Sequence, residues 1–180
     1  MVVTLHFDPF NNRLCRDVRN ALAVGFIDAL NQRVFAPVRR TVDGLLEQSL
    51  PAYVADYIRH RWEAYNGIFT DVTDRDLKDP LDIAFCIWDR HLFFETHEFL
   101  EPYWMRAVGE EKELLQALIR AAGTYVHLEQ GNLKSAGRIA LKAIQGLQPH
   151  RARLAVHTDP DLLLDKLRRL DPLPPKLSSH

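Results

Sequence analysis

Apolar residues recur at every fourth position along most of the chain, which is the pattern of amphipathic helices. In the clearest run the repeating positions are Leu14, Val18, Leu22, Phe26, Leu30 and Val34. Asn11 or Asn12 can cap the start of this helix. Pro37 ends it, and a shorter helix follows that should stop near Leu50. No segment shows convincing alternation with a period of two, so the sequence predicts an all-α protein.

A third helix is predicted to begin at Pro51 and to end at Asn66-Gly67. Residues 70–79 are rich in aspartate and hold few large apolar side chains, so we predict an internal linker there. The chain is therefore expected to comprise an N-terminal helical extension, residues 1–79, and an antiparallel helical bundle, residues 80–170.

The predicted bundle begins at Asp79-Pro80, where an aspartate cap precedes a proline in the first helical turn. This helix should run to about Trp104, with a kink or break between Glu98 and Glu101 because Pro102 lies inside it. Two further helices follow, separated by Gly131, and Asn132 is expected to cap the second of them.

A last short helix is predicted to open at Asp159-Pro160. The Pro-rich tail, residues 171–180, is expected to be extended and partly disordered.

Composition indicates a soluble folded protein, because 47% of the 180 residues are hydrophobic and 26% are charged. A formal net charge of -1 gives no general attraction to nucleic acid or to an anionic membrane. Cys15 and Cys86 lack metal-binding or disulfide spacing and are expected to be buried thiols in a reducing compartment. Residues 1–10 do not resemble a secretion signal, so we expect a cytoplasmic protein without a membrane segment.

One segment combines two histidines and three glutamates with large apolar side chains, from His91 to Trp104. On a single helix, His91, Glu95 and Glu98 would lie on one side, and His97 and Glu101 together on another. The zinc-protease motif HExxH is excluded because its second histidine position holds Glu101. The Glu-x-x-His motif of di-iron bundles is also absent from this segment.

The next predicted helix carries a polar stripe that can face these acidic residues, formed by Gln116, Arg120, Gly123 and His127. The candidate polar site therefore comprises Glu95, His97, Glu98, Glu101, Trp104, Gln116, Arg120, His127 and Asn132.

Different interpretations of this site stay open. The polar side chains can simply pair along and between helices, as in a structural module. They can also form a binding site for a small molecule that the sequence does not identify. A third interpretation is a metal-assisted hydrolase with a divalent metal held by His97, Glu101 and His127, and with Glu98 as general base.

Two separated motifs carry a resemblance to a known family. The chain resembles the family called domain of unknown function 309 in two places. The first is the run Phe94 to Glu101 with Trp104, and the second is the later helix followed by Gly131 to Ala136. That family has roughly FEAHExLExxW, then LIQxAaxxyH and GNxxGA, and the resemblance covers about residues 89–147. The chain departs from it at Arg120, Ser135 and Pro102. The resemblance implies an all-helical fold and no particular activity, and residues 1–79 lie outside it.

The helix between residues 14 and 34 is apolar over a broad arc and needs more than one packing partner. We expect it to be buried either against the C-terminal bundle or in a homodimer.

Overall fold

The computed structural model describes residues 6–178, and every regular element in this range is a helix, which confirms the predicted fold class. The chain divides into two compact units, unit 1 (Met1–Asp76) and unit 2 (Leu77–His180). Of the predicted extension and tail, residues 1–5 and 179–180 lie outside the described part. None of the described helices is both long and apolar enough to span a bilayer.

Unit 1 consists of three helices, α1 (Arg13–Gln32), α2 (Ala36–Leu46) and α3 (Ala52–Asp74). Asn12 caps α1 as predicted, because its side-chain oxygen accepts a hydrogen bond from the Cys15 amide at 3.2 Å. Both α2 and α3 pack against α1. The approach of α2 is close at Gly25, where an added Cβ would lie 2.6 Å from the Thr41 hydroxyl. The apolar arc of α1 therefore has two packing partners inside unit 1.

The predicted end of the third helix at Asn66-Gly67 is wrong, since α3 continues to Asp74. The physical reason is burial: Ile68 and Val72 are completely buried and extend the apolar stripe that includes Tyr65. The tertiary contacts of these side chains outweigh the low helix propensity of one glycine. The segment between α3 and the next helix is accordingly shorter than the linker predicted for residues 70–79.

Unit 2 contains the remaining helices, which are α4 (Pro80–Asp89), α5 (Phe93–Arg106), α6 (Gly109–Glu129), α7 (Leu133–Leu147), α8 (Arg151–Leu154) and α9 (Pro160–Arg169). A short 3-10 turn joins α7 to α8. The Asp79 carboxylate accepts a hydrogen bond from the Leu81 amide at 2.8 Å, as expected for the predicted cap.

The expected single helix from Pro80 to Trp104 is wrong, because a turn separates α4 from α5. His91 adopts the left-handed conformation with φ of 57°, and the Leu92 amide donates to the Ile87 carbonyl across the turn. Histidine is one of the few non-glycine residues that enter this region with some frequency, so the sequence lacks the usual glycine signal.

Of the kink or break predicted between Glu98 and Glu101, a break is absent, since α5 continues through Pro102 to Arg106. Pro102 is exposed, whereas Phe99 and Leu100 in the preceding turn are buried and anchor the helix. Packing of the buried face therefore tolerates the loss of one backbone donor on the solvent side.

Helix α6 is the centre of unit 2, with α5 on one side and α7 on another. Both α6 and α7 bury many small side chains, and their buried alanines are Ala117, Ala121, Ala122, Ala136, Ala140 and Ala143. An added Cβ on Gly146 would lie only 2.8 Å from the Ala117 Cβ. The small residues that the sequence places in α7 thus do permit close helix packing.

Residues 171–178 contradict the expectation that the Pro-rich tail is partly disordered. They have no helix or strand, yet Pro175 and Leu177 are buried. The Leu177 amide donates to the Asp89 carboxylate at 2.7 Å. This partner lies 88 residues away along the chain, so local composition does not reveal it.

The α6–α7 contact gives a stability prediction for two glycines of α7. Gly146→Ala should destabilise the chain by about 1 kcal/mol, because the steric cost of overpacking against Ala117 exceeds the gain in helix propensity. Gly137→Ala is the matched control, since its Cβ would make an ordinary 3.6 Å contact with Leu170. It should leave stability unchanged or raise it by up to about 1 kcal/mol. Urea unfolding followed by circular dichroism measures both, and equal effects of the two substitutions would contradict the close contact.

Candidate functional site

Helix α5 brings three of the predicted site residues together on a half-buried face. One ligand atom from each of His97, Glu98 and Glu101 lies within 4.8 Å of the others, and we call these residues the α5 cluster. The His97 Nδ1 and Glu98 Oε1 atoms are 3.1 Å apart, at hydrogen-bonding distance. About one third of each of these two side chains is exposed, at 32% and 33%, so solvent and solutes can reach them.

Glu95 lies in the first turn of α5 and is completely buried. A carboxylate in this position interacts favourably with the positive end of the helix dipole. Within the described residues Glu95 is not a member of the α5 cluster. His91, which was expected to share a helical side with Glu95, lies instead in the exposed turn before α5.

Trp104 lies near the end of α5 and is half-buried. The Lys112 ammonium of α6 lies 5.4 Å from the centre of its ring, which is within cation–π range. This contact connects the last turn of α5 to the first turn of α6.

The predicted polar stripe of α6 is half-buried at Gln116, Arg120 and His127. Its Gly123 faces α7, because an added Cβ would lie 3.9 Å from Ile139. In residues 6–178, His127 does not join the metal-ligand group of the α5 cluster.

Asn132 is exposed and occupies the N-cap position of α7, but its side chain makes no capping hydrogen bond.

The environment of His127 lowers its pKa below the ordinary value of 6.5. The main cause is burial, which disfavours the charged imidazolium, and the positive charge of Arg138 on α7 adds to the effect. His127 is therefore neutral at physiological pH in the folded chain.

A second group of ionisable side chains was not predicted from the sequence. Asp79, Asp82 and His157 also place one ligand atom each within 4.8 Å of one another. The Asp82 carboxylate lies 2.9 Å from His157 Nδ1. Next to this group is a cavity of about 160 Å³ whose lining includes Tyr103 and Arg153.

No sequence signal identifies this second group, since 75 residues separate Asp82 from His157. Asp79 also has a sufficient local role as a helix cap.

The comparisons with known proteins concern the helices that carry the α5 cluster. Residues 82–139 match the family model described as Domain of unknown function (DUF309). The resemblance to this family is thereby confirmed, and the matched range extends from α4 into the first half of α7. Neither the curated proteins nor the solved structures include a match to this chain.

The lowered pKa of His127 predicts a pH dependence of stability. Above about pH 7.5 the residue is neutral in both the folded and the unfolded chain, so it does not change the free energy of unfolding. As pH falls through 6.5, the unfolded chain binds a proton more readily than the folded chain, and stability decreases until pH lies below the folded pKa. His127→Gln removes this contribution.

Urea unfolding of the wild type and His127→Gln at pH 7.5 and pH 5.0 measures the effect. The wild type should lose more stability between these two values than His127→Gln does. His91→Asn is the control, because it removes an exposed histidine of the same unit from a turn position that asparagine tolerates. An equal pH dependence in the wild type and His127→Gln would show that His127 is not shielded from solvent.

Proposed function

We propose that unit 2 is a binding module in which the α5 cluster of His97, Glu98 and Glu101 binds a divalent transition-metal ion. The observation that carries this proposal is the convergence of one imidazole nitrogen and two carboxylate oxygens within 4.8 Å. One nitrogen ligand and two oxygen ligands form a set that zinc and neighbouring metals accept.

The dimensions of the cluster support this proposal. Two ligand atoms bound to the same zinc ion lie at most about 4.2 Å apart, because each bond is about 2.1 Å long. All three ligand atoms of the α5 cluster lie within 4.8 Å of one another, so at most small side-chain rotations are needed to bring them into range. Half-burial of the cluster leaves one side accessible, where an external ligand could complete the coordination.

The contact between His97 and Glu98 gives Glu98 two possible roles. Glu98 can be a metal ligand itself, or it can accept a hydrogen bond from His97 Nδ1–H and so orient Nε2 toward the metal. Glu98→Gln keeps a hydrogen-bond acceptor and removes the charge. If this variant keeps most of the metal affinity of the wild type, Glu98 acts by orienting His97 and is not itself a ligand.

A metal-assisted hydrolase is the second candidate function. Its support is the position of Glu98 beside His97, because a carboxylate next to a bound metal can act as general base on a coordinated water. In this alternative Glu98 is not a ligand, and Glu98→Gln abolishes turnover of ester or phosphoester probes while metal still binds. The binding module instead predicts no turnover of such probes by the metal-loaded chain.

Isothermal titration of the purified full chain with zinc tests the proposal. The wild type should bind one zinc ion, and His97→Ala and Glu101→Gln should each weaken binding by at least about tenfold, because each removes a ligand. The controls are His91→Asn, which removes an exposed neighbouring histidine, and Asp82→Asn, which alters the other ionisable group. Both controls should bind as the wild type does.

The proposal fails if the double variant His97→Ala/Glu101→Gln binds zinc as tightly as the wild type. It also fails if Asp82→Asn alone removes binding, since the metal would then belong to the group around His157. Circular dichroism of each variant establishes that it is folded.

We also propose that the protein is cytoplasmic and forms a homodimer. The first statement is supported by Cys15 and Cys86, which are both buried and do not form a disulfide. The homodimer is supported by two exposed apolar side chains, Val24 on α1 (59% exposed) and Val34 just after α1 (51% exposed). Light scattering of the full chain tests the dimer, and a monomer at all concentrations would contradict it.

A further inference from the structure

The C-terminal tail lies along the end of α4 as an extended peptide held by three kinds of contact. The Trp88 indole N–H donates to the Pro175 carbonyl at 2.9 Å, and this hydrogen bond is buried. The Asp89 carboxylate accepts the Leu177 amide at 2.7 Å and the Ser178 amide at 3.1 Å. The Ser178 hydroxyl also donates to this carboxylate. We call the surface formed by Trp88 and Asp89 with their neighbours the α4 groove.

The α4 groove has a rigid aromatic floor. The Trp88 ring meets the rings of Phe93 and Tyr125 edge-on, each at a centroid distance of 5.0 Å. All three side chains are at least 98% buried, so Trp88 has little freedom to move. Its N–H group is therefore held in place to bind a carbonyl, and Leu177, only 1% exposed, supplies the apolar anchor of the tail.

The chemistry of the tail is that of a peptide ligand. Pro172, Pro174 and Pro175 fix their own φ angles and restrict the preceding residues to extended conformations. Such a segment loses little conformational entropy on binding, and docking in an aromatic-lined groove is a general mode of proline-rich peptide recognition. Two of the three contacts with Asp89 use backbone amides, the third uses the Ser178 hydroxyl, and none uses the side chain of Lys176.

The segment that occupies the α4 groove lies outside every helix, so its release would break no helical hydrogen bond. Helix α9 ends at Arg169, and Leu170 closes it in the left-handed conformation with φ of 48°. Asp171 is held by the Lys166 ammonium at 2.7 Å, and its carboxylate accepts the Leu173 amide. The base of the tail is thus fixed at residues 171–173, and the segment after it is held by the α4 groove.

The α4 groove and the tail that occupies it come from different parts of the sequence. Trp88 and Asp89 lie inside the range that matches the family model, whereas the tail lies outside it. The site that accepts the peptide and the peptide itself are therefore independent parts of the sequence.

We propose that the α4 groove is a docking site for an extended Pro-Pro-x-Leu-Ser segment of a partner protein, and that the chain's own tail occupies it in competition. A tethered tail has an effective concentration of about millimolar order, so a partner segment binds only when it outcompetes the tail or when the tail is released. The proposal is independent of metal binding at the α5 cluster.

Binding of a fluorescent peptide with the sequence of residues 172–178 to the full chain tests this proposal. In Leu177→Glu the tail should undock, because a charge at this buried position is strongly disfavoured. The peptide should bind this variant at least about tenfold more tightly than it binds the wild type, since the competing tail is gone. Leu173→Glu is the matched control: Leu173 is 69% exposed in the same tail, so the charge should leave the tail docked and peptide binding weak.

A second substitution locates the site of peptide binding. Adding Asp89→Ala to Leu177→Glu should abolish binding, because the acceptor for the two tail amides is lost. A peptide in which the residues equivalent to Pro175 and Leu177 are replaced by alanine and glutamate should not bind either chain.

The proposal is overturned if folded Leu177→Glu binds the peptide no more tightly than the wild type, or if a scrambled peptide binds equally well. If circular dichroism shows that Leu177→Glu is unfolded, Leu177→Ser replaces it, because serine undocks the anchor without introducing a charge. The tail of a second wild-type chain could also dock in the α4 groove. This would produce dimers that the free peptide dissociates, and that outcome also supports the docking site.

Discussion

The close packing of α6 against α7 is the contact on which unit 2 depends. At the closest approach α6 presents Ala117 and α7 presents Gly146, where an added Cβ would lie only 2.8 Å from the Ala117 Cβ. Side chains this small contribute little apolar area each, and the stabilisation comes from many atom contacts over long helices at short distance. A larger residue at the point of closest approach forces the two helices apart.

This packing fixes the position of the two surfaces that carry the functional proposals. Helix α5 packs against α6 and buries Phe99 and Leu100, and it presents the α5 cluster at the boundary with solvent. Tyr125 of α6 is part of the aromatic floor beneath the α4 groove. The proposed metal site and the proposed peptide site therefore use different helices, and both helices pack in the unit that α6 centres.

The sequence predicted those features that local physics determines. The caps at Asn12 and Asp79 follow from side-chain oxygens placed before helical patterns, and the pairing of His97 with Glu101 follows from helical spacing within one segment. The sequence pattern placed Glu98 on another side of the helix, so its convergence with these two residues was not predicted. The features that it did not reveal depend on distant partners. The continuation of α3 past Gly67 depends on tertiary burial of Ile68 and Val72, and the docked tail depends on Asp89. The turn at His91 lacks the glycine that usually marks such a site.

Amide hydrogen exchange of the wild-type chain and of Ala117→Leu tests the central role of the α6–α7 contact most directly. In the wild type, amides in the middle of α6 and α7 should exchange more slowly than those of α8 and α9, because they open only when unit 2 unfolds. In Ala117→Leu the protection of α5, α6 and α7 should decrease together, since the added volume separates the helices that hold the unit. Unchanged protection of α6 and α7 in this variant would contradict the account.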